Sequence, residues 1–356
     1  MRHNEFQKFW HKKKVFLTGH TGFKGSWLSL WLSSMGAEVT GYSLTPHAQP
    51  NLFEVLSIES LMKKSIIADI RDLASLQKAM TETKPDIVIH MAAQSLVRYS
   101  FTNPVETYST NVMGTVHLLE SARHLDSVKS TLIVSTDKCY ENKEWVWGYR
   151  ENEAMGGYDP YSNSKGCAEL VTSSYRQSYF SDINKNQIAS ARAGNVIGGG
   201  DWSEDRLIPD AIKAFESGKP LKIRNPLSTR PWQHVLEPLS GYLTLTQLLY
   251  ESGAEFSSAW NFGPGDEDNR TVEEVIKLLI THWGDSARWE KDGFEQPHEA
   301  NLLKLDCSKA RSKLGWVPRW NLEIATKKTI DWQKSFLAKE NMREISLLQI
   351  KQYMNA

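Results

Sequence analysis

The strongest constraint on the fold is an alternation that runs through the first half of the chain. Short apolar runs, KVFLTG, EVTGYSL, SIIADI, DIVIHMAA, TLIVST and QIASARAGNVIG, have the length of buried strands. Between them lie longer helical segments: FKGSWLSLWLSSMG, DLASLQKAMTETKP, PVETYSTNVMGTVHLLESARHL and DPYSNSKGCAELVTSSYRQSYF. In the first of these, Phe23, Trp27, Leu30, Trp31 and Met35 fall on one helical stripe. The second opens on Asp72 as N-cap and closes before Pro85. Strands and helices in alternation make βαβ units, hence a parallel sheet covered by helices on both faces. The expected fold class is α/β: a doubly wound parallel (Rossmann) sheet over residues 1–194, then a smaller mixed α/β lobe over 195–356. That second part is loop-rich at GGGD, NPLSTRPWQ and NFGPGDEDN, with helices expected at TVEEVIKLLITHWG and NLEIATKKTIDWQKSF. Residues of about 234–263 read as a helix and a strand that return to the first sheet.

Composition narrows the function. Net charge is +0 over 356 residues, so nothing steers the chain toward nucleic acid or an anionic membrane. No run has the length of a membrane span. The three cysteines, Cys139, Cys167 and Cys307, are far apart and form no CxxC pair, which fits a reducing compartment. The ten histidines show no ligand spacing such as HExxH, so no metal is expected. The start, MRHNEFQKFWHKKK, is basic without an apolar signal core and reads as a surface extension of a cytoplasmic protein. Thirteen tryptophans serve either packing or stacking on flat ligand groups, and composition does not choose.

TGHTGFKG, between the first strand and the first helix, spaces Gly19, Gly22 and Gly25 as G-x-x-G-x-x-G. Glycines let the backbone turn tightly and approach a pyrophosphate, and the helix behind them offers free N–H groups. His20, Thr21, Phe23 and Lys24 complete this cofactor loop, with Lys24 as a further cation beside the phosphates. The second strand ends in GYSLTPH, without an acid for a ribose or an arginine for a 2′-phosphate, which favours NAD. Asp69, at the end of the third strand, is a candidate for the adenine amine, or else a helix N-cap.

Two further clusters carry chemistry. YSNSK sets Tyr161 and Lys165 one helical turn apart, where the cation is expected to lower the phenol's pKa. A phenol so tuned takes a proton from an alcohol while hydride leaves its carbon. STDKCY ends the TLIV strand with a hydroxyl, an acid and an amine in a row, Thr136, Asp137 and Lys138.

With these motifs in order, the sequence resembles the extended short-chain dehydrogenase/reductases that act on nucleotide sugars. TGHTGFKG resembles their cofactor loop, MAAQS (Met91, Ala92, Ala93, Gln94, Ser95) their strand-four motif, and NVMGT their central-helix motif carrying Asn111. RAGNVIGGGD, RPWQHV and LGWVP resemble their substrate-lobe and C-terminal signatures. The resemblance implies that Thr136, Tyr161 and Lys165 oxidise the sugar hydroxyl at C4. Asp137 and Lys138 occupy the acid and base places of the family's 4,6-dehydratases, which then remove water across C5 and C6. Most relatives carry Asp-Glu there, so the C5 base stays open between Lys138 and another group. Cofactor contacts are implied at Gly19–Gly25, Asp69, Ile70, Met91–Gln94, Asn111, Tyr161 and Lys165. Substrate contacts are implied at Gln94, Ser95, Asn195, Arg206, Arg224, Arg230, Trp232 and His298. Asp137-Lys138 with KEWVWGYRENEAMGGYDPYSNSKGCAEL resembles most closely the branch acting on CDP-activated glucose, whose product feeds dideoxyhexoses of bacterial surface polysaccharides. A homodimer through helices around 104–124 and 159–180 is implied, with a homotetramer as the larger alternative. The rival functions are another nucleotide-sugar dehydratase or a 4-epimerase of the same family, and a non-catalytic NAD-binding regulator.

Overall fold

The computed structural model describes residues 3–182, 185–284, 287–292 and 302–356. Seven parallel strands form the main sheet: β1 Lys14–Thr18, β2 Glu38–Ser43, β3 Lys64–Ile67, β4 Ile87–His90, β5 Ser130–Val134, β6 Gln187–Ala193 and, after the smaller strands, β10 Ala259–Phe262. Their order is β10-β6-β5-β4-β1-β2-β3, so the direction of winding reverses between β1 and β4. Strands β4, β5 and β6 are buried along their whole length, as a sheet covered on both faces requires. Open α/β sheets place their ligands outside the carboxyl ends of the strands at such a reversal.

The smaller strands are β7 Asn195–Ile197, β8 Leu221–Ile223, β9 Thr229–His234, β11 Asn269–Thr271 and β12 Trp289–Lys291. They form a three-stranded sheet, β11-β9-β7, and a two-stranded one, β12-β8. The segment QIASARAGNVIG is therefore two strands. It breaks at Gly194, where a side chain would run into Pro231, and β7 leaves the main sheet there. The Leu236–Ser252 helix leads to β10, which pairs in parallel with β6 at the edge of the main sheet.

Local signals set most helix ends. Asp72 caps Leu73–Thr83 by accepting from the Ser75 amide, and Asp159 caps Pro160–Tyr179 by accepting from Ser162. Thr271 and Glu274 form a reciprocal capping box at the start of Val272–Trp283. The segment expected as one helix after Pro104 is instead Pro104–Tyr108, a π-helical turn Ser109–Met113, and Gly114–Arg123. Such turns often sit at functional sites.

Two expectations fail at the chain's ends. The N-terminal segment contains a helix, His3–Trp10, and Trp10 is fully buried in the main core, so it is not a surface extension. The last helix, Met342–Met354, lies in the region expected to be substrate lobe but packs on the Phe23–Ser34 helix, with Tyr353 edge-on to Trp31. Trp10, Trp27, Trp31, Trp260 and Trp332 are core residues, which decides the packing role for these five.

The last helix is fixed by a buried acid. Glu237 accepts the Tyr353 hydroxyl at 2.6 Å and the backbone amides of Arg319 and Trp320 at 3.1 and 2.7 Å. Those donors favour the carboxylate, but burial outweighs them and pushes its pKa up from 4.5 to about 7. Between these values the folded chain holds a proton that the unfolded chain releases, so stability falls as pH rises through that window. Glu237→Gln is expected to flatten the decline of the melting temperature from pH 5 to 8; an unchanged slope would remove Glu237 as its source.

Candidate active site

The loops after β1 and β4 meet at the reversal. The Thr18 hydroxyl lies 2.7 Å from His90 Nδ1 and accepts the Met91 and Ala92 amides, both at 3.1 Å. Gly19 has φ of 77° and lies so close to Ala92 that a Cβ would come within 2.8 Å of its amide nitrogen. At Gly25 a Cβ would collide with the Gly19 carbonyl. Gly22 is the N-cap of the Phe23–Ser34 helix and is exposed. This is a glycine cradle at a helix N-terminus, and it fits a dinucleotide pyrophosphate.

Side chains of the loop depart from expectation. His20 turns away from the cradle: its Nε2 lies 2.8 Å from Ser65 Oγ, and its ring packs on Gly41 and edge-on to Phe53. Burial lowers its pKa to about 4, so it is a neutral packing group. The Thr21 hydroxyl bonds Leu44 O at 2.9 Å and fastens the loop to the end of β2. Lys24 reaches toward the chemistry instead of the solvent. Burial, then the charges of Lys165 and Arg206, lower its pKa to about 8, against the pull of Asp137. Its Nζ lies 5.8 Å from the centre of the Tyr242 ring.

Asp69 and Ile70 follow β3. Asp69 is gripped by Arg71 through Nε at 2.9 Å and Nη2 at 2.5 Å, while Ile70 is buried against Gly114. Asn111 sits in the π-helical turn, buried, and ties three segments together. It accepts the Gln94 amide at 2.8 Å and donates to Gln94 O at 3.0 Å and Ser164 Oγ at 2.9 Å. The Gln94 side chain donates from Nε2 to Thr107 Oγ1 at 2.9 Å, which folds it back onto the Pro104–Tyr108 helix. Met91, Ala92 and Ala93 are half-buried just beyond β4.

The candidate reacting groups lie at the end of β5 and on the Pro160–Tyr179 helix. Thr136 caps the short turn Asp137–Cys139 and donates to Asp137 Oδ1 at 2.9 Å. Asp137 is 2% exposed, and its Oδ2 has no partner. Burial raises its pKa despite Lys138, Thr136 and Arg230 pulling the other way, which suits a proton donor. Lys138 is half-buried next to it. Lys165 donates from Nζ to Val134 O at 3.0 Å, and burial lowers its pKa to about 8. Tyr161 is 9% exposed, and burial pushes it up to about 12. The Thr136 hydroxyl and then Arg206 pull it down. The direction is opposite to the lowering expected from Lys165, because burial outweighs the Thr136 hydroxyl and the Arg206 charge.

The substrate-side residues divide. The Arg206 guanidinium bonds Ser95 Oγ at 3.0 Å and Asp201 at 3.3 Å. Arg224 pairs with Asp205 at 3.1 Å, and Arg98, which sequence reasoning missed, meets the same carboxylate at 3.2 Å. Asn195 begins β7 and is half-buried. Arg230, on β9, is 6% exposed, and its charge pulls the Asp137 pKa down against burial. Trp232 is not available for stacking: it is 4% exposed in the core of the smaller sheet, with Nε1 bonded to Arg270 O at 3.1 Å. His298 lies outside the described residues. Tyr242 was also missed. Its hydroxyl is buried without a partner, and Tyr161 and Asp137 add to the burial that raises its pKa. No spacing rule marks it, since it approaches from the Leu236–Ser252 helix. Among the described residues no group of His, Cys, Asp and Glu could hold a metal, and no helix is long and apolar enough to cross a membrane.

Comparison with known proteins agrees with this geometry. The family described as GDP-mannose 4,6 dehydratase matches residues 16–329. The chain is 57% identical to the CDP-glucose 4,6-dehydratase of Salmonella typhimurium strain LT2, over 98% of both chains. It is 28% identical to a probable dTDP-glucose 4,6-dehydratase of Sinorhizobium fredii, over 90% of this chain and 92% of that one. Its fold matches the UDP-glucose 4-epimerase of Thermotoga maritima solved with UDP-glucose, with a TM-score of 0.79, 23% identity, and 91% and 99% of the two chains covered. It matches the dTDP-glucose 4,6-dehydratase of Bacillus anthracis in complex with NAD at a TM-score of 0.74, with 22% identity and coverage of 91% and 97%.

Gly25→Ala is expected to cost about 1–3 kcal/mol by overpacking the cradle. Dinucleotide binding, measured by calorimetric titration, should weaken by at least about tenfold. Unchanged affinity would show that the pyrophosphate lies elsewhere.

Proposed function

The chain belongs to the nucleotide-sugar family described as GDP-mannose 4,6 dehydratase, and from that membership we propose that it is an NAD-dependent hydro-lyase converting CDP-glucose to CDP-4-keto-6-deoxyglucose and water. The observation that carries this reading is Asp137: a buried acid with a raised pKa, bonded to Thr136 in the pocket that holds Tyr161. Oxidation at C4 alone has no use for such an acid, whereas loss of the C6 hydroxyl requires a proton. Identity of 57% over 98% of a CDP-glucose 4,6-dehydratase supports the choice of nucleotide.

The glycine cradle of Gly19, Gly22 and Gly25 would hold the pyrophosphate of NAD, with Asp69 and Ile70 toward the adenine and Met91–Gln94, Tyr161 and Lys165 toward the nicotinamide. When bound, NAD supplies the acceptor for the C4 hydride and returns that hydride to C6. Tyr161, with the Thr136 hydroxyl beside it, takes the proton of the C4 hydroxyl. The resulting ketone acidifies the C5 proton, and Lys138, next in the chain to Asp137, removes it. Asp137 gives its proton to the departing C6 hydroxyl, which leaves as water. As the hydride reaches C6, C5 takes back a proton from Lys138 after exchange with solvent, and the proton taken up by Tyr161 replaces the one Asp137 gave away, so the sugar loses one water and no net reductant is consumed. Arg206, Arg224, Arg230 and Asn195 would bind the nucleotide diphosphate, guanidinium groups being suited to phosphate.

In this reading residues 1–194, with about 234–263, form the dinucleotide domain, and much of the remainder binds the nucleotide sugar. Val105, Met113 and Leu170 are exposed apolar residues on the two long helical segments, which supports a homodimer through that face. The three free cysteines are consistent with a cytoplasmic enzyme supplying sugars for bacterial surface polysaccharides.

The test is product mass after incubation with CDP-, dTDP- and UDP-glucose and catalytic NAD, in H₂O and in D₂O. Loss of one water with one solvent deuterium gained is expected, fastest with CDP-glucose. An unchanged mass with inverted C4 would overturn the reading in favour of an epimerase. Asp137→Asn should slow dehydration by about 10²–10⁴-fold, the usual contribution of a general acid, while C4 oxidation persists. Lys138→Met should suppress exchange of the C5 proton with solvent; normal exchange would assign the base elsewhere.

A further inference from the structure

Glu169 lies one helical turn beyond Lys165, which itself lies one turn beyond Tyr161, so the three side chains share a face of the Pro160–Tyr179 helix. Glu169 is an anion in the interior. It accepts Arg192 Nε at 2.9 Å, Arg192 Nη2 at 3.0 Å and Ser190 Oγ at 2.7 Å, and both side chains of the ion pair are 4% exposed. Burial would raise the Glu169 pKa, but the Arg192 charge and these bonds hold it below its ordinary value. Arg192 continues outward. Its Nη1 donates to the Tyr140 hydroxyl at 2.7 Å and to Glu151 O at 3.0 Å, and Tyr140 donates to Asn261 Oδ1 at 2.7 Å. Tyr140 directly follows the turn that carries Asp137 and Lys138.

A buried ion pair is a weak source of stability, because desolvation offsets its attraction and an apolar pair of similar size does as well. Its position is the more informative feature. The titratable and charged groups that face Lys165 are Tyr161 and Glu169 from its own helix, Cys139 from the turn after β5, His90 from β4 and Lys24 from the helix behind the cradle. Burial keeps His90 neutral, with a pKa of about 3, and pushes the Cys139 thiol up. Lys24 is a cation of the same sign. Glu169 is then the anion in this set, and it opposes the burial that lowers Lys165.

We propose that Glu169 and Arg192 form a positioning pair for the reaction: Glu169 is the internal counter-charge of the Lys165 ammonium, and Arg192 fixes that carboxylate while tethering the Thr136–Lys138 turn through Tyr140. The inference rests on the proposed role of Lys165, so its test needs a readout besides turnover. Purified full-length protein carrying Glu169→Gln, with lysine side chains ¹³C-labelled at Cε, would be titrated by NMR, the Lys165 signal being assigned by its loss in Lys165→Met. Dehydration rates would be followed over the same pH range.

Removing an anion within one helical turn is expected to lower the Lys165 midpoint by about 1 pH unit or more. The alkaline limb of kcat should move down with it. Where Glu169→Gln alone does not fold, the double variant Glu169→Gln, Arg192→Met leaves no unpaired buried charge, and a smaller downward shift is expected, because loss of the Arg192 cation acts the other way. An unmoved Lys165 midpoint in a folded variant, with only the melting temperature reduced, would overturn the proposal and leave a structural ion pair. A shifted midpoint in a protein that dehydrates no nucleotide sugar would sustain the counter-charge and overturn the proposed function instead.

Discussion

The contact between the loops after β1 and β4 is the constraint on which the site depends. Parallel strands on either side of the reversal carry the chain outward in opposite directions, which opens a crevice between their ends. The Thr18 hydroxyl spans it by serving the amides of Met91 and Ala92 and the ring of His90. Gly19 lies against Ala92 with no space for a side chain, and Gly25 lies as closely on the Gly19 carbonyl. The helix start, the strand-four segment and, through Gln94, the Asn111 turn are positioned by this one junction. Asn111 then reaches Ser164, next to Lys165, so the cofactor cradle and the reacting helix share one hydrogen-bonded frame.

Loss of water sets the electrostatics of that frame. Burial moves Asp137 and Tyr161 up and Lys24 and Lys165 down, each toward its neutral form. The group that resists is Glu169, which keeps its charge because donors occupy both of its oxygens. The proton affinities of the acid, the phenol and the lysines are therefore shifted mainly by burial. Asp137 and Tyr242 retain buried oxygens without partners, which are open to bonds that a ligand or water would supply.

Much of this was legible because it is local. Alternation gave the sheet, and Asp72, Asp159 and the Thr271–Glu274 box marked helix starts through bonds made within three residues. The YSNSK spacing and the STDK run mark the proposed reacting groups by local pattern alone. What was not legible depends on partners distant in the chain. The π-helical turn at Ser109–Met113 keeps a helical pattern, and only its contacts with Gln94 and Ser164 explain it. His20 and Lys24 occupy one loop, yet Gly41 draws the first inward while the second faces Lys165. Trp232 looked like a stacking surface until β9 placed it in a core. Glu169 had a signal, since it continues the Tyr161–Lys165 spacing by one more turn.

The arginines on the substrate side show how the same physics runs in reverse at the mouth of the site. Arg98 and Arg224 share Asp205, and Arg206 bridges Asp201 and Ser95, so these pairs join the segment after β4 to the loop after β7. Arg98 and Asp205 are 38% and 44% exposed. Pairs so open to water contribute only about 0–1 kcal/mol. An anion with the charge and geometry of a diphosphate competes for such guanidinium groups at little energetic penalty, since bidentate phosphate bonds are stronger than solvated carboxylate contacts. Deep in the site the opposite holds: Glu169 and Arg192 are desolvated, and breaking that pair from one side leaves an uncompensated charge. Under the proposed function, the gradient from exchangeable ion pairs at the mouth to a fixed one behind Lys165 would separate binding, which must be reversible, from positioning, which must not move.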